Sequence, residues 1–445
     1  MTPHPVRPLL LALGLSLGWA WPAAAQTPDL PFTAAEIEAA QYDGSDLPRG
    51  RSALTAKVQL LLDRSGTSPG VIDGFKGGMS QSAIKAFERR TGLPQDGVMD
   101  PHVWNLLQSF ATRPVTQTYV VTAEDAAGLA ASIPTDYAEK ALMPAMAHTS
   151  VAERLGERFH MDEKFIEFLN PGVALVPGAT IQVMAPNPRL RGQVTRIIID
   201  KDNRRVAGYN ARGQMVVDYP ATIGSSATPS PQGAHNVRTV AINPNYTYNP
   251  DVNFRQEGNV SPLVIPPGPN GPVGTVWIGL TKPTYGIHGT PTPSQLFANQ
   301  SMGCVRLTNW DAEELAGMVT IGGTEVQFLD AGVTIADVTG SGTAVSPPVA
   351  DIALPEGTTD QITTPDPAQP LSLPDPQAPA TVAPTAPTTP TPAAPTPVAP
   401  AATDPAAIPA APDAAAPVTP DPLSDALSGA LPEGFVVPPL EEAQP

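Results

Sequence analysis

From Ser341 to Pro445 the chain holds 26 of its 56 prolines, 12 Asp and Glu, and no Lys or Arg. Proline fixes φ and has no backbone N–H, so runs such as residues 381–392 can neither continue a helix nor supply a sheet ladder. With so little apolar surface to bury, the segment cannot offset its chain entropy. It is expected to be extended and solvated, partly polyproline II, over 341–445. It is either a passive tail or a spacer or docking arm with Leu431–Leu440 as a short contact motif. Any packed core must come from what precedes it.

The tail also accounts for most of the charge. The 445-residue chain carries a formal net charge of −17, and residues 1–340 alone carry only −5. Neither figure suits a protein that condenses on nucleic acid or anionic lipid. Residues 1–25 hold Arg7, an apolar run from about Leu9 to Ala20, and Ala23–Ala25. This is the pattern of a cleaved secretory signal, and the run is shorter than the roughly 20 apolar residues that span a bilayer. The mature chain is expected to be exported, with no membrane span. Its single cysteine, Cys304, excludes an internal disulfide framework and a multi-thiolate metal site. The histidines show no metal-ligand spacing and there is no phosphate-cradling loop, so neither metal nor cofactor is expected.

Three folded regions are expected before the tail. In the first, 31–110, Leu54, Val58, Leu61 and Leu62 recur at helical spacing, as do Ile84 with Phe87 and Trp104 with Leu107. Asp-Gly turns at Gly74 and Gly97 separate them, each tolerating positive φ and expected to end a helix. The reading is a small all-α unit of three helices. In the second, 119–186, Val151–Phe159 and Met161–Leu169 read as two helices. The second stops at Asn170-Pro-Gly172, and a strand follows at Gly178–Met184.

The third region, 193–330, alternates as strands at Arg196–Asp200, Arg205–Tyr209, Met215–Tyr219, Thr275–Leu280 and Glu325–Leu329. Short antiparallel strands with Gly and Pro turns suggest a β-sandwich or half-barrel. One helix should follow Thr308, with Asp311 placed to cap it. His288, in Gly286-Ile-His-Gly-Thr290, precedes by 16 residues the cysteine of Ser301-Met-Gly-Cys-Val-Arg306. A thiol is mostly protonated at neutral pH, and a nearby imidazole can take that proton to give the attacking thiolate. Glycines at 289 and 303 permit close backbone approach. The other histidines, His102, His148, His160 and His235, are expected to be structural.

These letters carry three resemblances. Val71–Gly74, Ala83–Leu93 and Asp96–Leu107 resemble the peptidoglycan-binding domain type one, which implies a wall-binding role. The helix, helix, Asn-Pro-Gly, strand order of the second region looks like a degenerate LysM module, another glycan binder, or else a structural connector. The third region resembles the YkuD-type L,D-transpeptidases. Their signature is a His, about 15 residues, Ser or Thr, any residue, then Gly-Cys, Ile or Val, Arg, and Leu or Met. The earlier landmarks Tyr219–Gly224, Thr228–Gly233, Pro266–Gly274 and Ile287–Thr290 are present in order. Met302 stands where many relatives have a second His.

The resemblance implies a periplasmic enzyme with Cys304 as nucleophile and His288 as base. The backbone carbonyl of Gly289 would fix the imidazole tautomer, and the N–H of Gly303, with that of Cys304, would receive the oxyanion. Ser301 would order the turn, and Arg306 would anchor a substrate carboxylate or brace the loop. The implied partner is peptidoglycan: Cys304 attacks a tetrapeptide stem, releases D-Ala, and the thioester passes to an amine of another stem or of an envelope protein. Water in place of the amine would make an L,D-carboxypeptidase, and a vestigial thiol would leave a non-catalytic wall-binding scaffold. The catalytic readings require a thiol that substrate can reach.

Overall fold

A computed structural model describes residues 31–224, 228–251, 254–298, 301 and 303–339. The signal pattern at 1–25, the acidic tail at 341–445 and Met302 lie outside the described residues. No helix among the described residues is long and apolar enough to cross a membrane.

The first region contains α1 (Ala34–Ala39), α2 (Ala53–Arg64), α3 (Gly78–Thr91) and α4 (Pro101–Leu107). Each of the last three starts or stops for a local reason. Ser52 accepts the Thr55 N–H ahead of α2, and Asp100 accepts the Val103 N–H ahead of α4, where Pro101 occupies the first turn. Gly92, at φ 74°, ends α3. The Asp-Gly turns, expected to end helices, instead shape the loops that lead into α3 and α4, with Gly74 at φ 75° and Gly97 at φ 73°.

The second region adds to the two expected helices and strand. Its elements are β1 (Thr116–Val120), α5 (Tyr137–Ala141), α6 (Val151–Phe159), α7 (Glu163–Leu169) and β2 (Thr180–Met184). β1 pairs antiparallel with β2, from Thr116 opposite Met184 to Val120 opposite Thr180. Leu155, Phe165, Ile166 and Val183 bury into the same cluster as Leu61, Phe87 and Leu107. The helical and middle regions thus share one core. Arg64 fastens the seam, donating to the carbonyls of Phe110, Arg113, Pro114 and Ala185.

The third region comprises β3 (Arg196–Asp200), β4 (Arg205–Tyr209), β5 (Met215–Pro220), β6 (Gly233–Ile242), β7 (Tyr246–Tyr248), β8 (Leu263–Ile265), β9 (Val276–Leu280), β10 (Gly286–His288), β11 (Val305–Arg306), α8 (Asn309–Ala316), β12 (Glu325–Phe328) and α9 (Ile335–Thr339). Eight strands form one sheet in the order β11-β10-β9-β6-β12-β3-β4-β5, and β7 with β8 forms a separate hairpin. This corrects the antiparallel expectation, because β10 with β11 and β12 with β3 run parallel.

Twist curls the sheet until its ends meet. Thr222, two residues beyond β5, exchanges both backbone bonds with Arg306 in β11, each 2.9 Å. Gly224 then bridges Ser301. A half-barrel describes this better than a sandwich. α8 packs Ala312 and Leu315 against the buried face with Ile278, Ile287 and Val326. Thr308, rather than Asp311, caps α8: its hydroxyl accepts the Asp311 N–H at 3.0 Å, while the Asp311 carboxyl accepts from Ser68 at 2.9 Å.

That last contact belongs to a firm seam between the helical region and the sheet. The loop after α2 runs along β5: Asp218 N–H donates to Gly66 O (2.8 Å) and Ser68 N–H to Asp218 O (2.9 Å). The Asp218 side chain, fully buried, pairs with Arg89 of α3 and with Arg205 of β4. An edge strand that would otherwise expose unpaired backbone is covered in this way.

Candidate active site

Two very short strands assemble the site. β10 and β11 are parallel, with His288 in register with Arg306 and Ile287 with Val305. Register partners share a face of a sheet, and residues two apart along a strand share it too. Cys304, two residues before Arg306, therefore belongs to the His288 face. Its Sγ lies 3.7 Å from Thr284 O, in the turn that leads into β10.

His288 Nδ1 lies 2.7 Å from the carbonyl oxygen of Gly289. A carbonyl only accepts, so the proton sits on Nδ1 and Nε2 carries the lone pair. Trp277 of β9 stacks on the ring, with centroids 5.6 Å apart. Asn309, at the start of α8 and buried, leaves Gly274 and Gly289 no room for a side chain. It also donates to Glu157 Oε1 of α6 at 2.6 Å, so the middle region reaches the His288 loop.

The turn before the cysteine is built from polar contacts. Ser301 Oγ donates to the Cys304 carbonyl and accepts the Gly303 N–H at 3.2 Å. The Gly303 amide, expected to face a developing oxyanion, is directed at Ser301 here. Ser230 Oγ donates to Gly303 O at 2.8 Å and accepts the Gly224 N–H at 3.0 Å. Gly303 has φ 109°, a left-handed value that a side chain resists. Sequence reasoning marked Thr228–Gly233 as a landmark but gave Ser230 no role. Trp277 and Asn309 carried no signal, since neither lies in a recognised motif.

The electrostatics follow from burial. Burial pushes the Cys304 thiol up to about 12, opposed by a Gly286 backbone hydrogen bond and by Arg306. Burial, with Arg306 adding to it, pushes His288 down to about 3, against the Gly289 contact. Both groups are neutral at physiological pH, and one guanidinium acts on both. Such a pair can exchange a proton once a reacting carbonyl supplies the driving force.

Access is where the arrangement departs from expectation. Cys304 is 2 % exposed and His288 1 %. The thiol sits in an apolar cluster with Tyr137, Met146, Tyr246, Tyr248, Ile265, Val273 and Trp277. A cavity of about 520 Å³ does open beside the loop that follows His288, lined by Glu153, Glu157, Asn270 and Pro291–Gln295, without including Cys304. Of the remaining histidines, His235 bonds Gln232 O and lies against Phe328. His148 contacts Glu157, and His160 stacks on Trp310 and contacts Asp63 at 2.9 Å.

Residues 194–328 match the family model for the YkuD L,D-transpeptidase catalytic domain, and residues 51–107 match the model described as "Putative peptidoglycan binding domain". The chain is 34% identical over 127 residues to the "Putative L,D-transpeptidase YkuD" of Bacillus licheniformis, covering 28% of this chain and 61% of that protein. It is 28% identical over 193 residues to the "Probable L,D-transpeptidase YbiS" of Escherichia coli, covering 41% of this chain and 61% of that one. The chain thus spans under two thirds of the length of these curated relatives. Among solved structures, the L,D-transpeptidase (residues 123–326) from Xylanimonas cellulosilytica is 15% identical, with a TM-score of 0.30, covering 65% of this chain and 100% of that chain. By these matches residues 194–328 of this chain are similar to L,D-transpeptidase catalytic domains of the YkuD type, and residues 51–107 to peptidoglycan-binding domains.

Proposed function

We propose that this protein is a periplasmic peptidoglycan L,D-transpeptidase that works through a thioester on Cys304. The observation that carries the reading is the His288 tautomer: Nδ1–H is held by Gly289 O, and Nε2 is left as the unprotonated acceptor on the face that also bears Cys304.

In the first half-reaction His288 Nε2 takes the thiol proton and Sγ attacks the carbonyl of the third stem residue. The amide bond to the terminal D-Ala breaks, the leaving amine receives the proton from His288, and a thioester remains. In the second half an amine attacks that thioester. Its proton passes through His288 to the departing sulfur, and a new amide is formed. The acceptor is a diaminopimelate amine of a neighbouring stem, or a lysine or N-terminus of an envelope protein. Arg306 stabilises the thiolate as it forms, since a positive charge nearby favours the charged sulfur. Ser301 orders the turn, and the helical and LysM-like regions hold the wall. The signal pattern at residues 1–25 supports the periplasmic assignment.

The test is incubation with tetrapeptide-containing wall fragments, followed by mass spectrometry. Cross-linked products with D-Ala released support transfer, and tripeptide alone points to a carboxypeptidase. Either activity surviving in Cys304→Ala removes the assignment.

A further inference from the structure

The apolar cluster that holds Cys304 is not drawn from the catalytic domain alone. Between β1 and α6 the chain leaves the middle region and returns, and the base of the excursion is closed by the Ala130 N–H donating to His148 O at 2.9 Å. The residues between, 131–147, include α5 and lie against the β7–β8 hairpin. Tyr137, 3 % exposed, lies tilted against Tyr248 at 4.8 Å and Tyr246 at 6.0 Å and meets Phe254 edge-on at 5.3 Å. Met146 is fully buried in the same cluster as Cys304.

Polar contacts hold the two pieces together from both ends. The Tyr137 N–H donates to Gln256 Oε1 at 2.8 Å, and Asn259 Nδ2 donates to Asp136 Oδ2 at 3.0 Å. At the other end the Met146 N–H donates to Pro267 O and the Asn270 N–H to Met146 O, each 2.9 Å. Asn270 Nδ2 adds a bond to Ala147 O at 3.0 Å. Gly268, at φ 147°, allows the backbone at Met146 to approach closely.

We propose that residues 131–147 are a lid, laid over the cysteine pocket by the middle region, and that a stem reaches Cys304 only when this lid lifts from the β7–β8 hairpin. The feature is a closed loop whose own ends are already joined, so it can swing away without unravelling β1 or α6. Its contacts with the hairpin are a few aromatic faces and single hydrogen bonds, the kind of local packing that opens well below the cost of global unfolding. Coupling to the wall follows from the connectivity: the region that carries the lid shares its core with the peptidoglycan-binding domain. The purpose of the lid rests on the catalytic reading of Cys304, whereas its presence does not.

The test uses the full chain and needs no turnover. Cys304 is the only thiol, so its alkylation by iodoacetamide reports opening directly. Tyr137→Ala is expected to speed alkylation at least tenfold. Replacing 131–147 with a short glycine linker, which the closed base permits, should do the same. A rate within twofold of the parent, in a variant with unchanged circular dichroism and melting, overturns the lid. Should both variants fail to fold, hydrogen exchange on the unaltered protein decides. The amides of Tyr137 and Met146 should open with the same equilibrium constant, within tenfold, as that read from Cys304 alkylation. Alkylation that outruns those openings by more than tenfold means the thiol is reached another way, and the proposal fails. A variant whose thiol becomes reactive yet transfers no stem removes the transpeptidase reading and leaves the lid standing.

Discussion

His288 and Arg306 are register partners on the parallel strands β10 and β11, and the one guanidinium acts on both the imidazole and the Cys304 thiol. A positive charge lowers both pKa values. It therefore keeps the imidazole neutral and able to accept, and it favours the thiolate that acceptance creates. Burial dominates both groups and favours neutrality in each.

The thiol should accordingly behave as a neutral group of high pKa, and a preformed ion pair is not expected. Alkylation of Cys304 should rise about tenfold per pH unit between pH 6 and pH 9, since only the thiolate reacts. A plateau beginning near pH 6 would instead mean a preformed thiolate–imidazolium pair. In Arg306→Met the profile should move to higher pH, and kcat/KM should fall roughly 10- to 100-fold. An unmoved profile would reduce Arg306 to a brace for the loop.

Gly303 should not tolerate a side chain. At its φ of 109° a methyl group would be strained, and it would come within 2.7 Å of Tyr285 Cε1. Gly303→Ala is expected to keep the fold but lower kcat by about a hundredfold, because a small displacement of the nucleophile is costly. Melting temperature and kcat, measured on the same preparation, separate strain in the site from general destabilisation.

Asp218 should be the most costly single charge to remove. It lies fully buried between Arg89 and Arg205, so Asp218→Ala leaves two guanidinium groups facing each other with no carboxylate between them. Breaking a buried pair of this kind costs about 3–5 kcal/mol. Calorimetry should record a melting temperature lower by roughly 6–15 °C. The loss should fall at the seam between α3 and β5.

Stability should decline from acid to neutral pH. Burial, with Asp63 and Glu314 adding to it, pushes the Asp311 carboxyl up to about 7, while His160 and the Thr308 contact oppose the rise. An acid whose folded pKa lies above its unfolded value holds its proton more tightly when folded. Its contribution is present in full below about pH 4 and lost as pH rises through about 7. His160 adds the same sign, because Asp63 raises its pKa despite burial. The melting temperature at pH 5 should exceed that at pH 8 by several degrees, and Asp311→Asn should shrink the gap. An unchanged gap in that variant would mean Asp311 is ionised in the folded protein.

Length helped but did not decide what was legible beforehand: β6, ten residues long and mostly exposed without a clean alternation, was not among the expected strands. β3, β4, β5, β9 and β12 each run for four or more residues, enough for alternation to register, and α2, α3 and α6 repeat their apolar face over at least two turns. β10 and β11 are three and two residues long. No period exists in so short a run, and their parallel pairing, the feature that aligns His288 with Arg306, had no local trace. α5 was equally silent, since its five residues follow a stretch with no periodic pattern.

The chain alone showed that the last hundred residues are rich in proline and acid and hold no Lys or Arg, that one thiol and one histidine stand in a glycine-rich setting fit for acyl transfer, and that helical and β patterns follow one another. Those properties are written in composition and in neighbours a few residues apart. Tertiary structure decided the rest. It chose the imidazole tautomer, let one guanidinium act on both reacting groups, and put the sulfur in one apolar cluster with residues from more than 150 positions upstream. Burial and field depend on what folding brings within a few ångströms, and separation along the chain does not encode that.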